Sequence, residues 1–200
     1  GVDLCVGCTY KYGNSGPGSP AWLYVSKKIQ KELQVPIQGW FAQDAQFEMG
    51  PVFERAQNIR GFQIASPSLI GIRCVQTAFS MIKEAGIDAI AHKAAVGTQM
   101  MIDLYDAWLA PLGFVLNTSR DPKGRGGHIS LVHQDAAQIC VAMREISNVI
   151  PDYRTPNSIR LAISPLPTSF VEVWDGFART RDLVASGQYK TIKEGGSRVT

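Results

Sequence analysis

A lysine with the surroundings of a catalytic residue lies near the start of the chain, in the stretch CTYKYGNSGPG (8–18). Lys11 stands between Tyr10 and Tyr12, after an apolar stretch and before a run of glycines and prolines. A lysine that bonds covalently to a carbonyl cofactor needs a rigid support and nearby hydrogen-bond donors. A strand end followed by a glycine-rich turn gives that support, and Tyr10 could donate its hydroxyl to a phosphate. The spacing alone favours an ordinary surface lysine whose stem covers apolar surface.

Other residue types that could do chemistry have structural alternatives. Arg160, in SIRLA, has the planar fork that suits a carboxylate, although pairing with a local acid is the default expectation for an arginine on a strand. Trp40 and Phe41 could be core residues. His128 and His133 alternate along one strand and are expected to be satisfied structural histidines rather than metal ligands.

The four cysteines predict no metal site. Cys5 and Cys8 form a CxxC within an apolar run, without a second such pair or a neighbouring histidine, so buried core residues are expected rather than a zinc site. Four unpatterned cysteines are typical of a reducing compartment, and we expect a cytoplasmic protein.

The composition excludes several classes of function. The chain has 200 residues, of which 45% are hydrophobic and 18% charged, as in an ordinary globular protein. A net charge of +3 without a dense basic cluster does not indicate nucleic-acid binding. No apolar run approaches the roughly 18 residues of a membrane helix, and no signal peptide is visible. Because Gly1 leads directly into a strand, we expect a fragment of a longer protein.

The sequence pattern predicts two regions that differ in secondary structure. Strands are expected over 1–8 and 21–26, followed by a short helix or turn over 26–33 and a long irregular loop over 34–51. A first helix over 67–86 would be capped by Ser66, with Ile70, Cys74, Thr77, Ala78 and Met81 on one face.

The second half reads as a small lobe of alternating short strands and helices. A long helix over 86–113, starting at Asp88, would be a spine joining two lobes. Short strands are expected within 114–119, 128–133, 148–154 and 158–164. Helices over 135–147 and 168–187 would be capped by Asp135 and by Thr168 or Ser169, giving an α+β arrangement.

Five segments together resemble the kynureninases, pyridoxal-phosphate (PLP) enzymes of the class V aminotransferase group. CTYKYGNSGPG is similar to the family's lysine motif, C-[ST]-Y-K-Y-L-N-x-G-P-G. Four later segments follow in the family's order: IQGWF (37–41), GFQIASPS (61–68), RGGHISLVH (125–133) and DYRTPNSIRLAISPLPTSFVEVWD (152–175). The resemblance implies an α/β fold: the C-terminal part of a PLP fold type I large domain, followed by a small α+β domain.

The resemblance also implies domain boundaries and roles. Residues 1–86 would be the end of the PLP-binding domain, 87–113 a connecting helix and 114–200 the small domain. Lys11 would bind PLP covalently and shuttle protons, whereas Tyr10, Trp40 and Ser66 would contact the cofactor phosphate. Phe41 would line the aryl pocket, Arg160 would clamp the substrate α-carboxylate, and Arg154 is a second candidate for that role.

Departures from the family pattern put substrate preference in doubt. Gly13 stands where leucine is usual, Ala42 and Gln43 stand where glycine and histidine are expected, and Pro167 replaces a tyrosine. The family's phosphate loop, ring-stacking aromatic and aspartate for the ring nitrogen lie in a first half that has no counterpart here.

The expected activity is hydrolysis of L-kynurenine or 3-hydroxykynurenine to anthranilate or 3-hydroxyanthranilate and L-alanine. The resemblance implies a homodimer with the site at the interface, completed by the missing N-terminal half. The alternatives are another class V PLP enzyme, a transaminase or desulfurase, and a non-catalytic piece. Such a piece should expose apolar surface where the absent half packed.

Overall fold

The computed structural model describes residues 1–192 and divides the chain into two compact units. The N-terminal unit is Gly1–Glu84 and the C-terminal unit begins at Ala85. Helices and sheets occur together, which confirms the mixed fold class. None of the helices within 1–192 combines the length and apolar character needed to cross a bilayer.

The N-terminal unit begins with a two-stranded antiparallel hairpin. Strand β1 (Leu4–Gly7) pairs with β2 (Trp22–Val25), so that Leu4 lies opposite Val25 and Gly7 opposite Trp22. Both faces carry exposed apolar side chains, and Val6 is 74% exposed. The expectation that Cys5 and Cys8 are buried is wrong, because both are exposed. The reason is that described residues cover neither face of β1.

The segment after the hairpin is irregular, as the sequence predicts, and is ordered by its own hydrogen bonds. Residues 27–32 form turns, and one 3₁₀ turn follows at Trp40–Ala42. The Arg55 guanidinium donates to the carbonyl oxygens of Gln30 and Leu33 at 3.0 and 3.1 Å and stacks over the Phe62 ring. These contacts join residues on either side of the loop 34–51.

Helix α1 (Leu69–Ala85) starts later than the sequence suggests. The Gly71 amide donates to Ser68 Oγ at 3.1 Å, so Ser68 is the N-cap and the assignment of Ser66 is wrong. The five residues of the predicted apolar face all lie within α1, but only Ala78 of that set is buried. The buried side instead carries Gly71 and Ala78. A Cβ on Gly71 would lie 2.9 Å from Pro20 Cδ, so the missing side chain lets α1 approach the glycine-proline loop.

Helix α2 (Ile87–Leu104) opens the C-terminal unit. Its N-cap is Gly86, at φ 81°, and Asp88 lies inside the first turn, which corrects the predicted cap. The helix continues through a π turn at Tyr105–Leu109 and a 3₁₀ turn at Ala110–Leu112. It ends at Gly113 in the left-handed conformation, as predicted.

Four short antiparallel strands form the sheet of this unit, in the order β3-β4-β6-β5. They are β3 (Val115–Leu116), β4 (His128–Val132), β5 (Asp152–Arg154) and β6 (Ser158–Ala162). Along β4 and β6 the buried residues alternate with half-buried or exposed ones, which is the period of a sheet covered on one face. The other face carries His128, Ser130 and Arg160.

The covered face packs against helices. Helices α3 (Ala136–Glu145) and α4 (Phe170–Ala185) contribute Ile139, Met143 and Phe177 to one core with the sheet and α2. Ser169 caps α4 through a reciprocal capping box with Glu172, as predicted for one of two candidates.

Asp135 precedes α3 without a side-chain capping bond and instead accepts a hydrogen bond from the Tyr189 hydroxyl at 2.9 Å. Asp135 is therefore at the predicted N-cap position, although its side chain makes no capping hydrogen bond. Nδ1 of the buried His133 accepts from the Asp135 amide at 3.0 Å, which confirms a satisfied structural histidine.

Candidate functional site

The candidate lysine lies in a tight turn four residues after β1. The Lys11 carbonyl accepts from the Asn14 amide at 2.9 Å, and the Thr9 carbonyl accepts from the Ser15 amide at 3.2 Å. Thr9, which is buried, donates its hydroxyl to the Pro20 carbonyl at 2.7 Å and closes the loop at its far end. The backbone on both sides of Lys11 is therefore held by local hydrogen bonds.

The side chains around this turn are open to solvent. Lys11, Tyr10 and Tyr12 are all exposed, and Lys11 Nζ lies 5.4 Å from the centroid of the Tyr10 ring. Within residues 1–192, no carboxylate lies in ion-pair range of Lys11, whereas Lys28 pairs with Asp3 at 2.7 Å. The arrangement presents an accessible amine near the Tyr10 ring, on a backbone that local hydrogen bonds hold in place.

Gly13 has no room for a side chain. A Cβ there would lie 2.4 Å from the Thr9 carbonyl oxygen and 3.2 Å from the Phe79 ring of α1. The glycine that replaces the usual leucine therefore belongs to a turn that is wound more tightly than a leucine would allow in this conformation.

The aromatic pair lies in the irregular loop. Trp40 and Phe41 meet edge to face with ring centroids 4.9 Å apart, and Phe47 contacts Trp40 from another side at 6.1 Å. Trp40 is exposed and lines a cavity of about 330 Å³ together with Gln43 and Met49, whereas Phe41 is half-buried and is not among the lining residues. Gly39 fixes the approach of this loop, because a Cβ there would lie 2.0 Å from the Ile64 carbonyl oxygen.

Gln43, one of the departures from the family pattern, fastens the cavity wall. Its Oε1 accepts from the Glu54 amide at 2.8 Å, and its backbone forms an isolated antiparallel bridge with Arg55. The preceding Ala42 is buried, and its carbonyl accepts from the Ala56 amide at 2.9 Å. These two residues therefore stabilise the loop that carries Trp40.

Ser66 is exposed and lies three residues before α1, where Ser68 has the capping role. Its predicted phosphate contact stays a prediction.

The two candidate arginines converge on one carboxylate. Arg154 Nε and Nη2 donate to Asp152 Oδ2 at 3.0 and 2.7 Å, and Arg160 Nη2 donates to the same oxygen. The sheet register causes this, because Asp152 on β5 lies directly opposite Arg160 on β6. The alternative that Arg160 pairs with a local acid is therefore confirmed.

His128 lies on the same open face of the sheet. Burial, with a smaller effect from the Arg160 guanidinium, lowers the pKa of this imidazole, which favours its neutral form at neutral pH. Cys140, fully buried in the core, has its thiol pKa raised to about 12 by burial and is no nucleophile. Among residues 1–192, no group of three or more potential ligands could hold a metal ion.

The structure thus groups the predicted residues into separate sets: Lys11 with Tyr10, Trp40 with Phe41, and Arg154 with Arg160. The pairing role of Asp152 is not among the predictions from the sequence, although a signal for it is present. The stretch DYRTPNSIR reads as two short strands around a turn, and a hairpin register across TPN places Asp152 opposite Arg160.

Comparison with known proteins identifies relatives along almost the whole chain. Residues 90–179 match the family model of the kynureninase C-terminal domain. A kynureninase of Geobacillus thermodenitrificans is 38% identical over 192 residues, which are 95% of this chain and 44% of the relative. A kynureninase of Bacillus anthracis is 36% identical over 194 residues, 96% of this chain and 45% of the relative. The chain therefore spans less than half the length of these relatives.

Solved structures of similar fold are more distant in sequence. An apo cysteine desulfurase from Thermococcus onnurineus NA1 aligns with a TM-score of 0.74 at 15% identity, covering 92% of this chain and 48% of the other. The cystine C-S lyase C-DES aligns with a TM-score of 0.68 at 13% identity, covering 82% and 43%. At this identity the likeness establishes the fold alone.

Proposed function

We propose that this chain, a relative of the C-terminal half of the kynureninases, supplies the lysine-bearing part of a PLP-dependent hydrolase. The substrate would be L-kynurenine or 3-hydroxykynurenine, and the products anthranilate or 3-hydroxyanthranilate and L-alanine. The observation that carries the proposal is the accessible Lys11 in its fixed turn, within a sequence 38% identical to a kynureninase. The solved structures support the fold alone and favour no other reaction.

The residues of the lysine turn fit the cofactor. Lys11 would hold the aldehyde carbon through its amine, and the Tyr10 hydroxyl would donate to the phosphate. Ser66 would add a further donor, and Trp40 would contact the phosphate region from a neighbouring subunit. Bound PLP supplies an electron sink for breaking a carbon–carbon bond. Of this chain's residues, Lys11 would also move the proton at the substrate α-carbon.

The substrate would be held by the aromatic loop and the arginine pair. Phe41 would line the pocket of the aryl ring, and Arg160, with Arg154 beside it, would bind the α-carboxylate. A guanidinium binds a carboxylate through two parallel hydrogen bonds, which fixes orientation as well as charge. Hydrogen bonding to Asp152 occupies only part of the Arg160 fork.

The N-terminal unit presents a surface suited to further polypeptide. Large apolar side chains are exposed on β1, β2 and α1, among them Val6, Trp22, Leu69 and Ile70. Exposed apolar surface of this extent favours burial against another protein surface. We assign it to the N-terminal half that the longer relatives contain, in a cytoplasmic homodimer whose site lies at the interface.

The test is PLP titration followed by borohydride reduction and mapping of the labelled residue by mass spectrometry. It is run on this chain alone and on the chain joined to an N-terminal half. We expect one-to-one labelling at Lys11 in the joined protein, with turnover of L-kynurenine. Lys11→Ala should abolish both the labelling and the turnover.

Lys28→Ala is the matched control, because Lys28 is an exposed lysine engaged with Asp3. This variant should be labelled like the wild type. Labelling scattered over several lysines in the joined protein would contradict the assignment of Lys11. Labelling at Lys11 without turnover of kynurenine would leave the PLP site standing and overturn the substrate.

A further inference from the structure

A row of polar side chains crosses the open face of the C-terminal sheet. Ser130 on β4, Arg160 on β6 and Asp152 on β5 are direct neighbours in the sheet register. Arg154 follows two residues after Asp152 on the same face, since side chains of a strand alternate. The row thus places one carboxylate between two guanidiniums.

The hydrogen bonding of Asp152 is committed to these two arginines. Its Oδ2 accepts from Arg154 twice and from Arg160 once. Its Oδ1 is buried and has no hydrogen-bond partner among residues 1–192. The Asp152 side chain is 19% exposed, whereas those of Arg154 and Arg160 are 46% and 39% exposed. The carboxylate therefore lies beneath the guanidiniums, which remain open to solvent.

We propose that Asp152 is the positioning residue of the carboxylate site. It holds the guanidiniums of Arg154 and Arg160 side by side, and the three groups together keep one net positive charge, which a single substrate carboxylate neutralises. This inference rests on the proposed function. An unrestrained arginine has many rotamers, and ordering it opposes binding. Asp152 orders Arg160 before the substrate arrives, which is preorganisation of the site.

The charge balance specifies the ligand class. Two guanidiniums and one carboxylate carry a net charge of +1. The lowered pKa of the neighbouring His128 favours its neutral form at neutral pH, so this imidazole adds no positive charge. The other groups of the row, Ser130 and Ser158, are neutral. The site therefore suits the single α-carboxylate of an amino acid better than a dianion.

The test compares Asp152→Asn with the wild type in the holoenzyme, which is the chain joined to an N-terminal half with PLP bound. The substrates are L-kynurenine and its α-carboxamide analogue. For L-kynurenine we expect KM to rise about tenfold with kcat within about twofold, because binding geometry is lost and the chemistry is not. The added net charge of the variant is screened at this half-exposed site and should not offset that loss. For the carboxamide, which lacks the anion, the two proteins should differ less than about twofold.

Two further variants separate positioning from general damage. Asp152→Glu restores the carboxylate, so its KM should lie between the values of Asp152→Asn and the wild type. Asp175→Asn removes a carboxylate that pairs with Arg179 on α4, outside the polar row, and should leave KM unchanged. An unchanged KM in Asp152→Asn, or an equal effect on both substrates, would overturn the proposal.

A second readout needs no turnover. Separate NMR signals for the Nη–H groups of Arg160 appear when rotation about the Nε–Cζ bond is hindered, and we expect them in the wild-type chain. Asp152→Asn should merge or broaden them, while Asp175→Asn should not. If these signals behave as expected but wild-type holoenzyme does not turn over kynurenine, positioning by Asp152 stands and the proposed function fails. If they are unchanged in Asp152→Asn, positioning fails whatever the activity.

Discussion

The two units of this chain differ in how far each completes its own core. In the C-terminal unit, three helices and one face of the sheet enclose fully buried residues such as Ile102, Ile129 and Ile139. In the N-terminal unit the buried apolar residues are Val25, Ala42, Ala56 and Ala78, and three of these four are alanines. Most of its large apolar side chains are exposed instead.

This difference separates two sources of stability. The C-terminal unit buries its own apolar surface, which is the dominant favourable contribution to folding. The N-terminal unit depends on backbone hydrogen bonds within its turns and on one hairpin, and an isolated two-stranded hairpin is marginal in water. Apart from its hydrogen-bonded turns, the unit that carries Lys11 therefore buries little apolar surface of its own, whereas the unit that carries Arg160 has a closed core.

The largest expected effect comes from removing a side chain in the closed core. Ile139→Ala should lower the free energy of unfolding of the C-terminal unit by about 2–5 kcal/mol, because it removes buried methyl groups and leaves a cavity. Urea denaturation followed by fluorescence of Trp108 and Trp174, which both lie in that unit and contact each other, measures it. In the N-terminal unit, Ile70→Ala is the matched change at a residue 81% exposed, and it should alter stability by less than about 0.5 kcal/mol.

If Ile70→Ala lowers the free energy of unfolding as much as Ile139→Ala does in this chain, the contrast between the two units is wrong, because α1 would then be covered. The contrast sharpens if Ile70→Ala becomes costly only after an N-terminal half is added. That outcome would place Ile70 in the surface between the two halves.

A smaller effect is expected where the N-terminal unit does pack closely. Gly39→Ala would place a Cβ 2.0 Å from the Ile64 carbonyl oxygen, so the aromatic loop must shift. We expect a loss of about 1–3 kcal/mol, as for other overpacked sites. Hydrogen exchange should show faster exchange of the Ala42 and Ala56 amides, which are bonded to carbonyls within this unit.

Gly50→Ala is the control for this change, because nothing lies within 4 Å of a Cβ at Gly50. It should leave the exchange of both amides unchanged. Equal protection in Gly39→Ala and Gly50→Ala would show that the loop is adaptable and that Trp40 is not held by it.

The sequence predicts the elements better than it predicts their burial. Alternation along β4 and β6 and the Ser169 cap have local causes, and the structure has both where the pattern indicates them. The predicted face of α1 is mostly exposed, because the helix is apolar on more than one side. Periodicity cannot choose between such sides, and close approach to the loop at Gly71 and Ala78 decides.

The candidate site shows the same division. The lysine motif identifies Lys11 because its neighbours in sequence are its neighbours in the turn. The shared carboxylate of Arg154 and Arg160 depends on strand register, which is a property of the folded hairpin. The hairpin pattern of DYRTPNSIR indicates this register, but the pattern does not by itself give Asp152 a role.

The smallest expected effect concerns one cap in each unit. Ser169→Ala should cost the C-terminal unit about 1 kcal/mol, since the Glu172 amide loses its acceptor. Ser68→Ala removes the corresponding bond to Gly71 in α1. If the N-terminal unit is as open as its exposed side chains indicate, the loss there should appear as local fraying and leave the unfolding of the C-terminal unit unchanged.

Glu172 adds a pH signature that belongs to the capping box alone. Hydrogen bonds from the Ser169 amide and hydroxyl lower the pKa of this carboxyl below its ordinary value of 4.5. A lowered folded pKa gives a contribution to stability that is complete above the unfolded pKa and is lost as the pH falls through the folded one. Ser169→Ala should therefore raise the midpoint in an NMR titration of the Glu172 carboxyl carbon toward 4.5 and flatten the pH dependence of stability just below it. An unchanged midpoint in that variant would mean that the Ser169 hydroxyl does not hold Glu172. Packing in the C-terminal unit, rather than the bond between the Ser169 hydroxyl and Glu172, would then determine where α4 begins.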